Sequence, residues 1–267
     1  MTLKFEKTEG ARAKLFDRLA TGADEMPRRP PADIERRRAE MREAGARLFA
    51  ERGLDGASIA EVAASLGLSA TTCSYYYWTR NELIYAILYD HATALHEALE
   101  ATDPLPAADG LDPRGAVPPL ARLEAMALAL LQALAAREPA QRVLLAALHT
   151  LPDASEDTLR ALLRGLIWRV ERVLLLAVPR LARRRALLFP LAASFTAMAA
   201  QYVLWFRDDG RLSRAEYARL IARMAVAGGK AAYRERVGKA RGIGPRQAPA
   251  GALLGTERRK RGPRSPG

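Results

Sequence analysis

The chain has 267 residues, 49% apolar and 27% charged, with a formal net charge of +12, which excludes a chain that is disordered throughout and suits one small and one larger domain. Its single cysteine, Cys73, excludes an intramolecular disulfide and a multi-thiolate metal site, and makes the reducing cytoplasm the natural compartment. Ala, Leu and Arg dominate while β-branched residues are scarce, so the expected fold class is all-α.

Residues 1–31 mix charges of both signs and end in Met-Pro-Arg-Arg-Pro-Pro, the composition of a disordered arm with a transient helix near residues 10–19. No apolar stretch like that of a signal peptide opens it. Arg28 and Arg29 are candidates to enter a minor groove, the alternative being a solvated arm.

From Asp33 to Arg52 the spacing of Ile34, Met41, Ala44, Leu48 and Phe49 predicts an amphipathic helix ended by Gly53. Its outer face carries Arg36, Arg37 and Arg38, which suit a phosphate backbone. Glu35, Glu40 and Glu43 offset them through helical pairs, so a solvated face is the rival reading.

Residues Ser58 to Leu83 read as helix, tight turn, short helix and the start of a third helix. Ser58 and Glu61 have capping-box spacing, and Val62, Ala63 and Leu66 make one side apolar. Gly67 lets the chain leave the helix through a left-handed residue, Leu68 plugs the corner, and Ser69 is a second N-cap. Thr79 to Glu82 is a further capping box. The short helix between carries Thr71, Thr72, Ser74, Tyr75 and Tyr76, hydroxyl groups that suit base edges and phosphates. Cys73 and Tyr77 fall on its core side. A short polar helix braced by an apolar one is a helix-turn-helix, because the major groove admits a single helix and reads it through side chains near its N-terminus. The rival reading is a three-helix corner whose tyrosines close a core.

These residues resemble the TetR (tetracycline-repressor-like) family of bacterial transcription regulators. The resemblance runs from the Arg-rich helix through Ala-Gly-Ala-Arg-Leu-Phe-Ala-Glu-Arg-Gly (44–53) and Ala-Ser-Ile-Ala-Glu-Val-Ala (57–63). It continues through Leu-Gly-Leu-Ser (66–69) and Tyr-Tyr-Tyr (75–77) to Arg-Asn-Glu-Leu (80–83). By position, it implies base contacts at Ala70, Thr71 and Ser74, with a further one at Ala60. It implies phosphate contacts at Ser58, Thr72, Tyr75, Tyr76 and Arg80. Ser74 stands where the family most often has Tyr, Cys73 where it often has Leu, and Trp78 where Lys is common, departures that bear on which operator is read.

From Thr79 a long helix is predicted to about Ala101, with Leu83, Ile84, Ile87, Leu88 and Leu95 on its apolar side. His91 and His96, five apart, do not share a face and make no metal pair. Residues 103–119, rich in Pro, Gly and Asp, are a loop by composition. Helices follow at about 118–137, 139–151 and 154–178, separated by Pro139, Pro152 and Pro179, the last opening on an Asp153-led capping box with Glu156.

Leu187 to Phe206 is apolar on nearly all sides and approaches the length of a membrane span, but Pro190, Ser194, Thr196 and Gln201 favour a buried interface helix, with no membrane partner. Asp208-Asp209-Gly210 turns the chain, and Ser213 with Glu216 caps a helix to about Ala227. The resemblance implies that these two helices, about 187–206 and 213–227, pair with their copies across a two-fold axis, where Ala192, Ala193, Ala197, Ala199 and Ala200 would allow close approach. A homodimer would read two half-sites of a double-stranded DNA operator.

Beyond Gly228, eleven Lys and Arg stand against two Glu, which reads as a disordered basic tail able to touch nucleic acid without sequence choice. Most of the net charge sits there, and so does not by itself mark the DNA-reading domain. The usual effector site of proteins of this resemblance lies between the reading head and the dimer helices. Its candidate linings here are Met126, Leu130, His149, Trp168, Phe195, Met198, Tyr202 and Trp205, with plain core packing as the rival. An effector fitting them would be small and largely apolar.

No Gly-rich phosphate loop, His-Glu-x-x-His or nucleophile elbow occurs, so neither an enzyme nor a metal or cofactor is expected. The predicted domains are a disordered arm (1–31), a helix-turn-helix DNA-binding domain (32–82), a helical effector-binding and dimerisation domain (83–230) and a disordered basic tail (231–267). The expected function is that of a cytoplasmic, homodimeric TetR-type repressor released from a palindromic operator by a small molecule. The alternative is an interaction protein with a degenerate helix-turn-helix whose basic tail binds nucleic acid nonspecifically.

Overall fold

The computed structural model describes residues 32–105, 115–207 and 209–240, and every regular element among them is helical. The arm with Arg28 and Arg29, the middle of the 103–119 loop, Asp208 and the tail from residue 241 lie outside the described residues.

Helix α1 (Ala32–Arg52) opens with Asp33 and Glu35 at the positive end of its dipole, and Gly53 follows it at φ 79. Then come α2 (Ile59–Ser65), α3 (Ala70–Tyr76) and α4 (Arg80–Thr102), begun by Ser58, Ser69 and Thr79. The capping box at Thr79 is half formed. Thr79 Oγ1 accepts from the Glu82 N–H, but the Glu82 carboxylate reaches back to the N–H of Trp78 instead.

Helices α5 (Pro119–Ala136) and α6 (Glu138–Ala147) follow, the latter tightening into a 3-10 turn at Leu148–Thr150. Helix α7 (Asp153–Ala177) departs from expectation at its start. Pro152, with φ −56, takes the cap position and its carbonyl accepts from the N–H groups of Ser155 and Glu156, so Asp153 lies inside the first turn and no side-chain cap forms.

The apolar stretch expected as one helix is divided. A 3-10 segment (Pro179–Leu187), broken at Arg184, leads into α8 (Leu188–Ala200), which ends in a second 3-10 turn (Gln201–Leu204). The last helix, α9 (Arg214–Ala240), is capped by Ser213 and Glu216 and runs on through Gly228 and Gly229 well past Ala227. Leu181 lies where a side chain on the buried Gly229 would sit, so helix contacts outweigh the glycine pair's conformational freedom.

Two apolar cores result. The larger joins the end of α4 to α5, α7, α8 and α9 through residues such as Leu99, Leu123, Leu130, Val170, Phe195 and Ile221. The smaller holds Met41, Phe49, Val62, Cys73, Tyr77, Leu83 and Ile87, and extends across the expected 82/83 boundary to Ala140, Val143 and Leu144 of α6 and Leu159 of α7. Helix α1 therefore packs on α6 as well as on the connecting helix α4, and α7 joins this core through α4. Pro119–Ala136 and Pro179–Leu204 are long and apolar enough to cross a membrane, the first a segment not singled out from sequence, and both contribute buried residues to the larger core.

Candidate nucleic-acid interface

The frame of the site is the contact of α1 with α4, where Gly45 permits close approach. A Cβ there would stand 3.1 Å from Leu83 Cδ2. On this frame α2 is fixed by a complete capping box: the Glu61 N–H donates to Ser58 Oγ (3.2 Å) and the Ser58 N–H to Glu61 Oε2 (2.8 Å). The Ser58 N–H also holds the Glu61 carboxyl below its ordinary range. The corner is then turned by Gly67 at φ 68, with the Leu68 N–H bonded to the Ala63 carbonyl at 2.9 Å and Leu68 half-buried beneath it.

Helix α3 starts where Ser69 Oγ accepts from the Thr72 N–H (3.0 Å). Its underside is anchored by Cys73 and Tyr77, both fully buried. The Cys73 thiol lies 3.6 Å from the Ile59 carbonyl, and burial pushes its pKa up, which keeps it an unreactive core group. Arg42 Nη1 donates to the Tyr77 phenol at 3.2 Å, and the Arg38 guanidinium lies 4.8 Å from the centre of the Tyr77 ring.

The opposite face of α3 is open. Thr71, Thr72 and Tyr75 are exposed, Ser74 and Tyr76 half-buried, with the Tyr75 and Tyr76 rings edge to face at 5.3 Å. Thr72 shares a hydroxyl hydrogen bond with Ser69 (2.8 Å), and Ser74 Oγ donates to the Thr71 carbonyl (2.9 Å), so Ser74 presents oxygen lone pairs outward. Ser58 and Ala60 are exposed at the start of α2, and Ala70 is the first residue of α3. Arg80 Nη1 donates to the Leu54 carbonyl (2.9 Å) and approaches Asp55 (3.3 Å). The residues expected to meet DNA thus cluster on α2, α3 and the start of α4, with Thr72 exposed and Tyr76 half-buried against the smaller core.

Two features of this surface were settled only by the structure. Trp78 is 79% exposed, where its residue type alone would favour burial and the polar run Thr79 to Glu82 after it, like the Lys common at this position in the resembled family, would favour solvent. The arginines of α1 are also already engaged: Arg36 with Asp33, Arg37 with Glu40, Arg42 with Glu35 and Arg47 with Glu43. The paired, solvated face is therefore the arrangement found for Arg36 and Arg37, while Arg38 turns to Tyr77.

Of the residues expected to line an effector pocket, five share the larger core and two lie on the surface. Met126, Leu130, Phe195 and Tyr202 are buried in the larger core, with Met198 packed against it and Trp168 half-buried. His149 is instead exposed on the turn after α6, where Arg160 (3.0 Å) and Glu156 (3.4 Å) on the first turns of α7 hold it. Trp205 lies beyond the 3-10 turn, 52% exposed and edge-on to Tyr217. Two open clefts lie elsewhere, at the foot of the reading head. One of about 380 Å³ runs between α1, α4 and α6 beside Arg42, Ile87, Asp90 and Arg137. The other, of about 460 Å³, lies beside Arg38, Tyr77, Tyr85 and Tyr89.

Helix α8 presents Phe189 and α9 presents Leu220 and Met224, each more than two-fifths exposed, and Ala193, Ala197 and Ala200 of α8 are at least partly open. Ala192 and Ala199 differ from expectation. They point into their own chain's core and are buried there, so they cannot line an outer contact.

A family model described as "Bacterial regulatory proteins, tetR family" matches residues 42–87, and one described as "Tetracyclin repressor-like, C-terminal domain" matches residues 116–229. A comparison with curated proteins finds no match. Similar solved structures include a TetR-family transcriptional regulator from Bordetella parapertussis 12822, with a TM-score of 0.61 and 23% identity over 70% of this chain and 93% of that one. Another is the TetR family regulator PfmR from Thermus thermophilus, with a TM-score of 0.57 and 21% identity over 70% of this chain and 97% of that one. A third is AibR in complex with isovaleryl coenzyme A and operator DNA, with a TM-score of 0.55 and 22% identity over 70% of this chain and 97% of that one.

Proposed function

This chain belongs to the tetR family of bacterial regulatory proteins, and we propose that it is a sequence-specific DNA-binding transcription regulator, a repressor that holds a palindromic operator as a homodimer in the cytoplasm. The single observation that carries this reading is the two-sidedness of α3. Cys73 and Tyr77 are locked into the core while Thr71, Thr72 and Tyr75 stand outside it. A helix so anchored enters a major groove as a rigid body, its Thr71 and Ser74 hydroxyls reading base edges while Ser58, Thr72, Tyr75 and Tyr76 grip the backbone on either side.

The exposure of the large apolar side chains Phe189, Leu220 and Met224 on α8 and α9 supports the dimer, since a two-fold contact buries the same residues twice and sets two reading heads at a fixed spacing. The AibR complex, which holds both isovaleryl coenzyme A and operator DNA, supports an effector role for the helical domain beyond residue 83. A small, largely apolar molecule parting Met126, Leu130, Phe195 and Tyr202, with Trp168 and Met198 at the margin, would release DNA by binding one spacing of the heads better than the other.

Selection of bound duplexes from a random pool tests the reading. It predicts a palindrome, and affinity for it that falls at least about tenfold in Thr72→Ala. Recovery of unrelated duplexes, bound equally by that variant, would overturn it.

One observation favours the second reading, in which the basic tail does the binding without sequence choice. Between residues 32 and 82 seven arginines and no lysine stand against eight carboxylates. Truncation after Ala240, where α9 ends, separates the two. Operator affinity survives it if α3 reads DNA, and most affinity disappears if the tail does.

A further inference from the structure

A protein that holds DNA through cations gains affinity by releasing counterions, and that gain needs a surplus of positive charge at the surface. The reading head has none. Arg52 is paired with Glu61 at 2.8 Å and Arg80 lies beside Asp55, which completes the engagement of every arginine between residues 32 and 82 by a carboxylate or by the Tyr77 ring. Moving one of the guanidiniums paired with a carboxylate to a phosphate would leave that carboxylate facing the same polyanion, and Arg38 alone lacks such a partner. The head must therefore hold the duplex chiefly by neutral donors and apolar contact.

Among the described residues the two most exposed large apolar side chains both lie here, Trp78 at 79% and Tyr75 at 72%. Tyr77 is extended (φ −141, ψ 113), and in extended backbone successive side chains leave on opposite sides. With Tyr77 buried, Trp78 is turned out of the core. Its backbone is nonetheless held, because the Trp78 N–H donates to Glu82 Oε2 at 2.8 Å in the first turn of α4. An indole on a fixed backbone, with an apolar ring and one N–H donor, loses little freedom when it meets a surface that is part apolar and part acceptor. The deoxyribose and phosphate edge of a duplex has that chemistry.

We propose that Trp78 is a DNA-contacting residue, its ring laid on the sugar edge and its N–H directed to a phosphate oxygen, so that the grip on the backbone is largely non-ionic. This rests on the reading of α3 as the element that enters the groove. It makes the junction of α3 and α4 a second anchor beside the capped start of α2, and it predicts that the head's own contribution to binding varies little with salt.

The test uses the full chain and a duplex selected from a random pool. Saturating duplex quenches or shifts the tryptophan emission of the wild type but not that of Trp78→Ala. That variant loses about tenfold or more in affinity with unchanged helix content, as expected for a surface position, and Trp78→Phe keeps most of the affinity. Trp78→Lys binds, but the slope of log affinity against log salt steepens by about 0.9, the value for one added ionic phosphate contact. The proposal is overturned if Trp78→Ala binds the duplex as the wild type does, or if Trp78 emission ignores saturating duplex. If the wild type binds no duplex at all, the reading of α3 falls and takes this one with it.

Discussion

His91 and Gln141 meet in the seam between the two cores, with His91 Nε2 2.9 Å from Gln141 Oε1 and both side chains buried. The Gln141 amide nitrogen donates to the Ala200 carbonyl at 3.0 Å, so the amide oxygen faces the imidazole and Nε2 carries the ring proton. This chain of bonds ties the connecting helix α4, through α6, to the end of α8. Arg142, which donates to the Val203 carbonyl at 3.1 Å, adds a second tie to the same turn.

Gln141→Leu should therefore destabilise the fold by about 1–3 kcal/mol, because it leaves the Ala200 carbonyl and the His91 N–H buried without partners. Urea unfolding followed by circular dichroism measures this, and an unchanged midpoint would show that the tie contributes nothing.

Burial holds the imidazoles of both His91 and His96 below the ordinary histidine range, opposed in His91 by its bond to the Gln141 amide oxygen and in His96 by its bond to the Leu162 carbonyl. Around His91, Arg137 lowers the value further and Asp90 raises it. Below the ordinary value of 6.5 the unfolded chain binds protons that the folded chain does not, so stability is complete above that pH and declines as pH falls. The slope is at most about 1.4 kcal/mol per pH unit for each histidine. His91→Leu should flatten the decline between pH 6.5 and the acid limit, and a decline of unaltered steepness would assign it to other groups.

Asp103 is almost wholly buried and accepts from Arg122 Nε at 2.7 Å and Arg172 Nη2 at 2.6 Å, while Arg169 pairs with Glu100 nearby. These pairs fasten the end of α4 to α5 and α7. Asp103→Ala leaves buried guanidiniums facing an empty position and should cost about 3–5 kcal/mol. A thermal midpoint equal to that of the wild type would show that the arginines relax to solvent freely.

Leu220 and Met224 lie one turn apart on α9 with roughly half their surface open. Met224→Glu places a charge at the centre of the proposed two-fold contact and should convert the dimer to a monomer by light scattering. Operator affinity should fall with it, while helix content stays.

Tyr77 and Thr72 should separate stability from DNA binding. Tyr77→Ala removes a fully buried ring and its bond from Arg42, costing about 3–5 kcal/mol. Thr72→Ala, at an exposed position whose N–H stays capped by Ser69, should change stability by less than about 0.5 kcal/mol. A large stability loss in Thr72→Ala would show that the residue serves the fold more than the groove.

The starts of α2, α3 and α9 and the turn at Gly67 were legible in the chain because a cap or a left-handed glycine acts within four residues. Where a signal depends on which neighbour is nearer, local reading erred. Pro152 displaced Asp153 as the start of α7, and Glu82 reached Trp78 instead of Thr79. His149 and Trp205, apolar-pocket candidates by residue type and helical spacing, ended on the surface.

From residues alone came the all-helical class, the capped helix-turn-helix and the pairing of Cys73 with Tyr77 as its core side, since each follows from the period of the helix and from bonds along a single stretch of chain. Only the packed tertiary structure decided that the smaller core spans α6 and α7, that Gln141 joins His91 to Ala200, and that Ala192 and Ala199 turn inward. These depend on contacts fifty or more residues apart, or on which side of an apolar helix meets its own chain, and an apolar period marks a helix's sides without naming their partners.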